Sequence, residues 1–253
     1  MRFSANLGLL WADLPLADAI RAAKAAGFHA VECHWPYDQP LAEVQAALSD
    51  TGLPMLGLNT APGDVAAGDF GLSALPGREA EARAAIETAV HWGAALGARH
   101  LHVMAGRAGG ARAEASFRAN LAFACDLAAG QGMAVLIEPL NPHDAPGYFL
   151  HSTGQARTII EGLARPNLRL MFDCYHVART EGDVIRRLED LLPIIGHIQI
   201  AAVPDRGAPD HGTLDHDHLF GVIDGLGWTR PIGAEYRPAG RTEDSLGWLE
   251  AQL

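Results

Sequence analysis

The feature that most constrains this chain is the alternation of short apolar runs with helical patterns along its whole length. Runs that read as strands occupy residues 3–7, 30–34, 54–60, 99–105, 134–140, 168–173, 195–201 and 231–236. Segments rich in helix formers follow at 16–23, 41–48, 79–96, 111–129, 152–163, 182–192, 214–226 and 242–253. Glycines at Gly27, Gly52, Gly97 and Gly130 stand just past four of them, where helices commonly end. Eight strand–helix pairs in 253 residues match the repeat and size of an α/β fold, the (β/α)8 TIM barrel, as a single domain over 1–253. A doubly wound open sheet is the competing architecture, but it usually carries a Gly-rich phosphate turn after its first strand. Here that strand runs into Asn6-Leu7-Gly8-Leu9-Leu10-Trp11, which lacks the pattern. No linker, low-complexity tract or shift of composition divides the chain.

Unbroken apolar runs imply strands buried on both faces, so the polar residues that end them are informative. Val135-Leu136-Ile137 runs straight into Glu138. An unpaired buried carboxylate costs several kcal/mol or takes up a proton, so something must compensate it. Strand six ends in Asp173, strand seven carries Gln199 and strand eight ends in Glu235. Neighbouring strands lie about 4.8 Å apart, so four consecutive strands of a closed barrel can bring these side chains to one point. Three carboxylates packed together repel one another, and a divalent cation removes the conflict. All-oxygen ligands suit Mg²⁺ or Mn²⁺, whereas zinc more often recruits His or Cys.

Other polar residues sit near the same strand ends. His176 lies three residues past Asp173, Arg237 two past Glu235, and Arg206 early in the loop after strand seven. Asn59 closes strand three and His102 lies within strand four. Segments 61–77 and 203–213 are longer than usual strand–helix connections and follow strands, which places them on the face where barrels carry their sites. A lid or a pocket wall is expected of them. Trp35 and Tyr37 are expected to help close the pocket.

These parts fit one chemistry. A divalent ion chelating a 2-hydroxycarbonyl unit polarises the carbonyl and acidifies the adjacent C–H. Two glutamates on non-adjacent strands, Glu138 and Glu235, could take a proton from one carbon and return one to the next. The reaction is hydroxy-oxo isomerisation through a cis-enediolate, with a His or Arg near the developing oxyanion.

Several stretches at and around these residues resemble the hydroxypyruvate isomerase family of the xylose isomerase-like barrel superfamily. They include Arg2-Phe3-Ser4-Ala5-Asn6-Leu7, Trp35-Pro36-Tyr37-Asp38, Asn59-Thr60-Ala61-Pro62-Gly63-Asp64, Leu136-Ile137-Glu138-Pro139-Leu140-Asn141, Gly196-His197-Ile198-Gln199-Ile200-Ala201 and Glu235-Tyr236-Arg237-Pro238-Ala239-Gly240. The resemblance implies a metal held by Glu138, Asp173, Gln199 and Glu235, with Glu138 and Glu235 as acid and base. It also implies that His176 and Arg206 contact substrate oxygens. Hydroxypyruvate, interconverted with tartronate semialdehyde, is the expected substrate, and a 2-oxo-tetronate or a sugar is the alternative.

Composition narrows the partners. The net charge of -11 argues against nucleic acid or an anionic membrane surface, which demand clustered Lys and Arg. An abasic-site endonuclease on the same barrel would also call for several zinc ligands, mostly His. No apolar run reaches the roughly 18–20 residues of a membrane span. Cys33, Cys125 and Cys174 are odd in number and far apart, with no CxxC, which makes a disulfide framework or structural zinc site a poor fit. The expected partner is a small 2-oxo or hydroxy acid; a homo-oligomer stays open. The N-terminus carries no signal-peptide pattern, and the expected location is cytoplasmic.

Overall fold

Each apolar run forms a strand, although most strands stop short of their run. In the computed structural model, which describes residues 1–252, the strands are β1 Phe3–Asn6, β2 Ala30–Glu32, β3 Gly57–Asn59, β4 His100–His102, β5 Ala134–Ile137, β6 Leu168–Asp173, β7 Ile195–Ile200 and β8 Ile232–Ala234. They form one parallel sheet in the order β2-β1-β8-β7-β6-β5-β4-β3. The seam between β2 and β3 is drawn together by a Val31–Met55 bridge. The Leu56 N–H also donates to the Val31 carbonyl (2.7 Å) and the Cys33 N–H to the Gly57 carbonyl (3.1 Å). The sheet thus curls into the expected (β/α)8 barrel. Glu138 and Glu235 fall one residue past the ends of β5 and β8, at the C-terminal rim.

The helices are α1 Leu16–Ala25, α2 Leu41–Thr51, α3 Glu79–Leu96, α4 Gly110–Ala129, α5 Thr153–Leu163, α6 Cys174–Thr180, α7 Val184–Leu191, α8 His216–Gly225 and α9 Gly247–Glu250. Side-chain caps start some of them: Ser152 accepts from the Gln155 N–H at α5 (3.2 Å) and Asp215 from the His218 N–H at α8 (3.0 Å). No helix among the described residues is long and apolar enough to cross a membrane.

Two elements differ from the sequence expectation. One helix was expected after strand six, over 182–192, yet α6 precedes it, beginning directly at the end of β6. Asp173 makes this turn possible, because its Oδ1 accepts from the Tyr175 N–H (2.8 Å) and caps the new helix. The expected helix over 242–253 is instead a 3-10 turn, Thr242–Ser245, followed by the short α9. The Thr242 hydroxyl accepts from the Trp11 N–H (2.8 Å) and the Ser245 hydroxyl donates to the Thr242 carbonyl (2.7 Å), holding the tight turn up to Gly247. Leu253, the last residue of that expected helix, lies outside the described residues.

Side chains alternate between the two faces of a strand. Along β7, Ile198 and Ile200 join the apolar core, while His197 and Gln199 share the other face, and all four are buried. The inner face is polar well below the rim. His197 lies 2.8 Å from the Glu32 carboxylate, Ser4 donates to Glu32 (3.3 Å), and the His100 ring stands 5.0 Å from that of His197. Barrel interiors are normally layered with branched apolar residues, so this polar layer calls for a cause.

Segment 61–77 forms a wall at the rim. After a 3-10 turn at Val65–Ala67 it bridges Ala105 through Gly71 and buries Leu72, Ser73 and Ala74. The approach is so close that a Cβ on Gly106 would sit 2.3 Å from the Gly71 carbonyl oxygen.

Candidate active site

A cavity of about 310 Å³ opens at the C-terminal rim. Its lining includes Asn59, His102, Glu138, His176, Arg206, Glu235 and Arg237, seven of the residues singled out from the sequence. Asp173 and Gln199 do not reach its surface; they are buried at paired positions of β6 and β7. Trp35 and, from the wall, Phe70 also line it. Tyr37 does not. Its hydroxyl donates to the Asn59 carbonyl and its ring packs edge-on to Trp92, so it backs the pocket rather than closing it. Surface grooves elsewhere reach about 530 and 480 Å³, but neither is lined by the convergent buried acids, and chemistry rather than size marks the site.

The three carboxylates are in unequal surroundings. Glu235 accepts from Arg206 (2.7 Å) and Asn6 (2.9 Å) and lies 3.1 Å from His34 Nε2. Burial alone would raise its pKa, yet Arg206 and His34 hold it well below the usual carboxylate range. Glu138 has no such donors among the described residues. It faces His102 Nδ1 at 3.7 Å and His176 Nε2 at 3.8 Å, and burial, with Glu235 and Asp173 nearby, pushes its pKa well up. Asp173, which Arg206 approaches only to 3.8 Å, is raised to about 7, mainly by burial. The Arg206 guanidinium thus reaches two of the three buried acids, Glu235 and Asp173.

His176 has its tautomer set by the backbone. The Asn141 N–H donates to its Nδ1 (3.0 Å), so in the neutral ring the proton sits on Nε2, 3.6 Å from Asp173 Oδ2. Burial, with Arg206 near, lowers its pKa to about 3, and burial lowers that of His102 to about 4, so both rings are neutral at pH 7.

Ligand atoms of Glu138, Asp173 and His176 all lie within 4.8 Å of one another, a grouping able to hold a metal ion. The oxygens at this point suit such an ion chemically. Glu138 Oε1, Asp173 Oδ2, His176 Nε2 and Gln199 Oε1 are buried without a hydrogen-bond partner among the described residues, and such orphans are rare unless something else satisfies them. Three of the four are oxygens fit for a hard cation. His176, with its proton on Nε2, presents a donor there rather than a lone pair.

A family model described as xylose isomerase-like TIM barrel matches residues 20–252. The chain belongs to that family. It is 46% identical to the 2-oxo-tetronate isomerase of Cupriavidus necator, with 100% of this chain and 98% of that protein covered. It is 34% identical to the hydroxypyruvate isomerase of Escherichia coli K12, over 99% and 98% of the two chains. A crystal structure described as AP endonuclease, family 2, from Brucella melitensis matches with a TM-score of 0.95 at 38% identity, over 99% of this chain and 98% of that one. Full-length identity to named isomerases places this family member among enzymes of the isomerase class.

The sequence reading did not single out Asn6, His34, Asp144 or Glu32. Asn6 and His34 bind Glu235, and Asp144 accepts from Tyr175 (2.7 Å) and Asn141 (3.1 Å) beside the cavity. The signal available was period-two alternation: Ser4 and Asn6 share a face of β1, as His197 and Gln199 do in β7.

Proposed function

We propose that this protein isomerises a short hydroxy-oxo acid, moving a carbonyl to the adjacent carbon through a cis-enediolate. Glu138, Asp173, Gln199 and Glu235 would hold Mg²⁺ or Mn²⁺. The observation that carries the reading is the convergence on one rim of the barrel of buried oxygens of Glu138, Asp173 and Gln199 that have no hydrogen-bond partner among the described residues, beside the Arg206 guanidinium and Glu235. When bound, the ion draws electron density from the substrate carbonyl and acidifies the neighbouring C–H.

The chain's own groups then divide the work. Glu235, held ionised by Arg206 and His34, takes the proton from one carbon. Glu138, with Glu235 and Asp173 nearby and no cation against it among the described residues, delivers a proton to the next. The His176 Nε2–H and Arg206 face the developing oxyanion. Asn59 and His102, 3.3 Å apart, form the opposite wall. Arg237 is exposed at the mouth, takes part in no ion pair among the described residues, and suits a substrate carboxylate.

Hydroxypyruvate is the three-carbon reading. The greater identity to a 2-oxo-tetronate isomerase favours the four-carbon acid as the second, and a 310 Å³ cavity accommodates either. The acidic surface gives no support to a nucleic-acid substrate. Turnover of the two acids by Mn²⁺-loaded protein, compared as kcat/KM, tests the assignment. Activity on one or both is expected, with loss in Glu138→Gln and Glu235→Gln; full turnover in either variant would overturn the mechanism.

A further inference from the structure

The polar layer under the site has a member with no role so far. Glu32, at the end of β2, is 3% exposed and lies inside the barrel below the rim. One of its oxygens accepts from Ser4 (3.3 Å). The other lies 2.8 Å from His197 Nε2, off the line of a hydrogen bond, and accepts from Gln199 Nε2 at 3.4 Å. The barrel is carved to admit this cluster. A Cβ on Gly233 would stand 2.2 Å from Glu32 Oε1 and 2.8 Å from both Gln199 Cγ and His197 Nε2, so any larger residue there would displace the network.

The consequence lies in the amide of Gln199. A primary amide has a donor end and an acceptor end, and rotation by half a turn exchanges them at almost no steric cost; only the partners decide which end faces where. An ionised carboxylate accepts and never donates. It therefore draws the NH₂ end of Gln199 downward and leaves Oε1 as the other end, buried and without a hydrogen-bond partner among the described residues. Gln199 pairs with Asp173 in the β6–β7 register, so the freed oxygen belongs to the rim cluster. Were the amide reversed, two N–H groups would take its place and repel a cation.

We infer that Glu32 is a positioning residue that fixes the orientation of the Gln199 amide and so supplies the site with an oxygen ligand. The inference rests on the metal reading given under Proposed function. Groups behind metal ligands typically change affinity about 10–100-fold when removed.

The test reverses the donor and the acceptor. Mn²⁺ affinity is measured by paramagnetic resonance of the free ion for the wild type, E32Q, Q199E and the double variant E32Q/Q199E, with thermal melting as the check on folding. Glutamine at position 32 keeps the shape but can donate or accept, so E32Q should bind Mn²⁺ about 10-fold or more weakly. In the double variant a carboxylate at 199 accepts from the new amide and offers an oxygen whichever way it turns. It should recover to within about threefold of the wild type, which no general loosening of the barrel would produce. Wild-type binding with unchanged affinity in E32Q, or a folded double variant as weak as E32Q, would overturn the inference alone. A wild type that binds neither Mn²⁺ nor Mg²⁺ would overturn the metal reading and the inference together. Should E32Q fail to fold, neutron diffraction of the wild type reads the same point: two deuterons on the Gln199 atom facing Glu32 are expected, and their presence on the other atom overturns the idea.

Discussion

Arg206 is the residue on which the charge of the site turns. It follows the strand that carries Gln199, and its backbone is pinned between the Ala202 carbonyl (3.0 Å) and the Arg237 N–H (2.8 Å). Its φ of 60° is the left-handed conformation, a cost that fixes the direction in which the side chain leaves the loop. The guanidinium stacks over Tyr175 at 5.3 Å and reaches Glu235 and Asp173 at once. Truncation to Ala would leave two buried acids uncompensated, so Arg206→Ala should cost about 3–5 kcal/mol in urea unfolding of metal-free protein. Arg206→Lys should recover only part of that, since one ammonium cannot match the planar fork. Equal midpoints for Arg206→Ala and wild type would mean that the acids are neutralised without it. Glu138→Gln and Glu235→Gln should instead leave unfolding nearly intact and lower kcat about 10²–10⁴-fold, the range of general acid–base catalysis.

At the scale of the element, the wall between β3 and α3 is the feature the sequence described least well. Its length predicts a lid or a wall, and only the contacts separate the two. Asp69 receives Arg78 on both carboxylate oxygens (2.7 and 2.9 Å) and the Asp64 N–H (2.8 Å), while Asn120 donates to the Ser73 carbonyl (2.9 Å). The segment is pinned at both ends. The pinning should be pH-dependent. The hydrogen bond from Arg78 lowers the Asp69 pKa, and a depressed folded pKa gives stability that is present above the unfolded value of about 3.9 and is lost as pH falls through the folded one. Wild type should therefore exceed Asp69→Asn in urea midpoint at pH 7, with the gap closing below about pH 4. Hydrogen exchange should show residues 71–74 protected; a gap that does not narrow at all as acid is added would assign the effect to packing instead. Elsewhere, apart from the expected helix over 242–253, the elements were legible because periodicity and glycine stops are local. Helix α6 was not, because a helix of seven residues starting inside a strand terminus depends on the Asp173 cap rather than on its own pattern.

At the scale of the whole molecule, the polar ends of β5 to β8 could be read from sequence because each breaks an apolar run. Glu32 and Asn6 were missed because their strands are short, so period-two alternation leaves only a faint trace in them and neither residue breaks a long apolar run. Closure converts scattered polar residues into a concentration of negative charge, on a chain that already has 30 acidic against 19 basic residues. Folding must hold those buried acids together against their repulsion, so a divalent ion that relieves it should stabilise the native state. At about 100 times its dissociation constant a ligand specific to the folded chain adds about 2.7 kcal/mol, or about 5–10 °C in Tm for a chain of this size. EDTA-treated protein should therefore melt lower than protein in Mn²⁺. The acidic surface complicates this, since a diffuse ion atmosphere also raises Tm. Asp173→Asn separates the two: asparagine still caps α6, the surface is unchanged, and the ion loses a buried carboxylate. The variant should lose most of the Mn²⁺ shift while keeping any shift produced by raising NaCl, which screens the surface charges alone. An undiminished Mn²⁺ shift in Asp173→Asn would place the ion on the acidic exterior and leave the buried carboxylates to be balanced by Arg206.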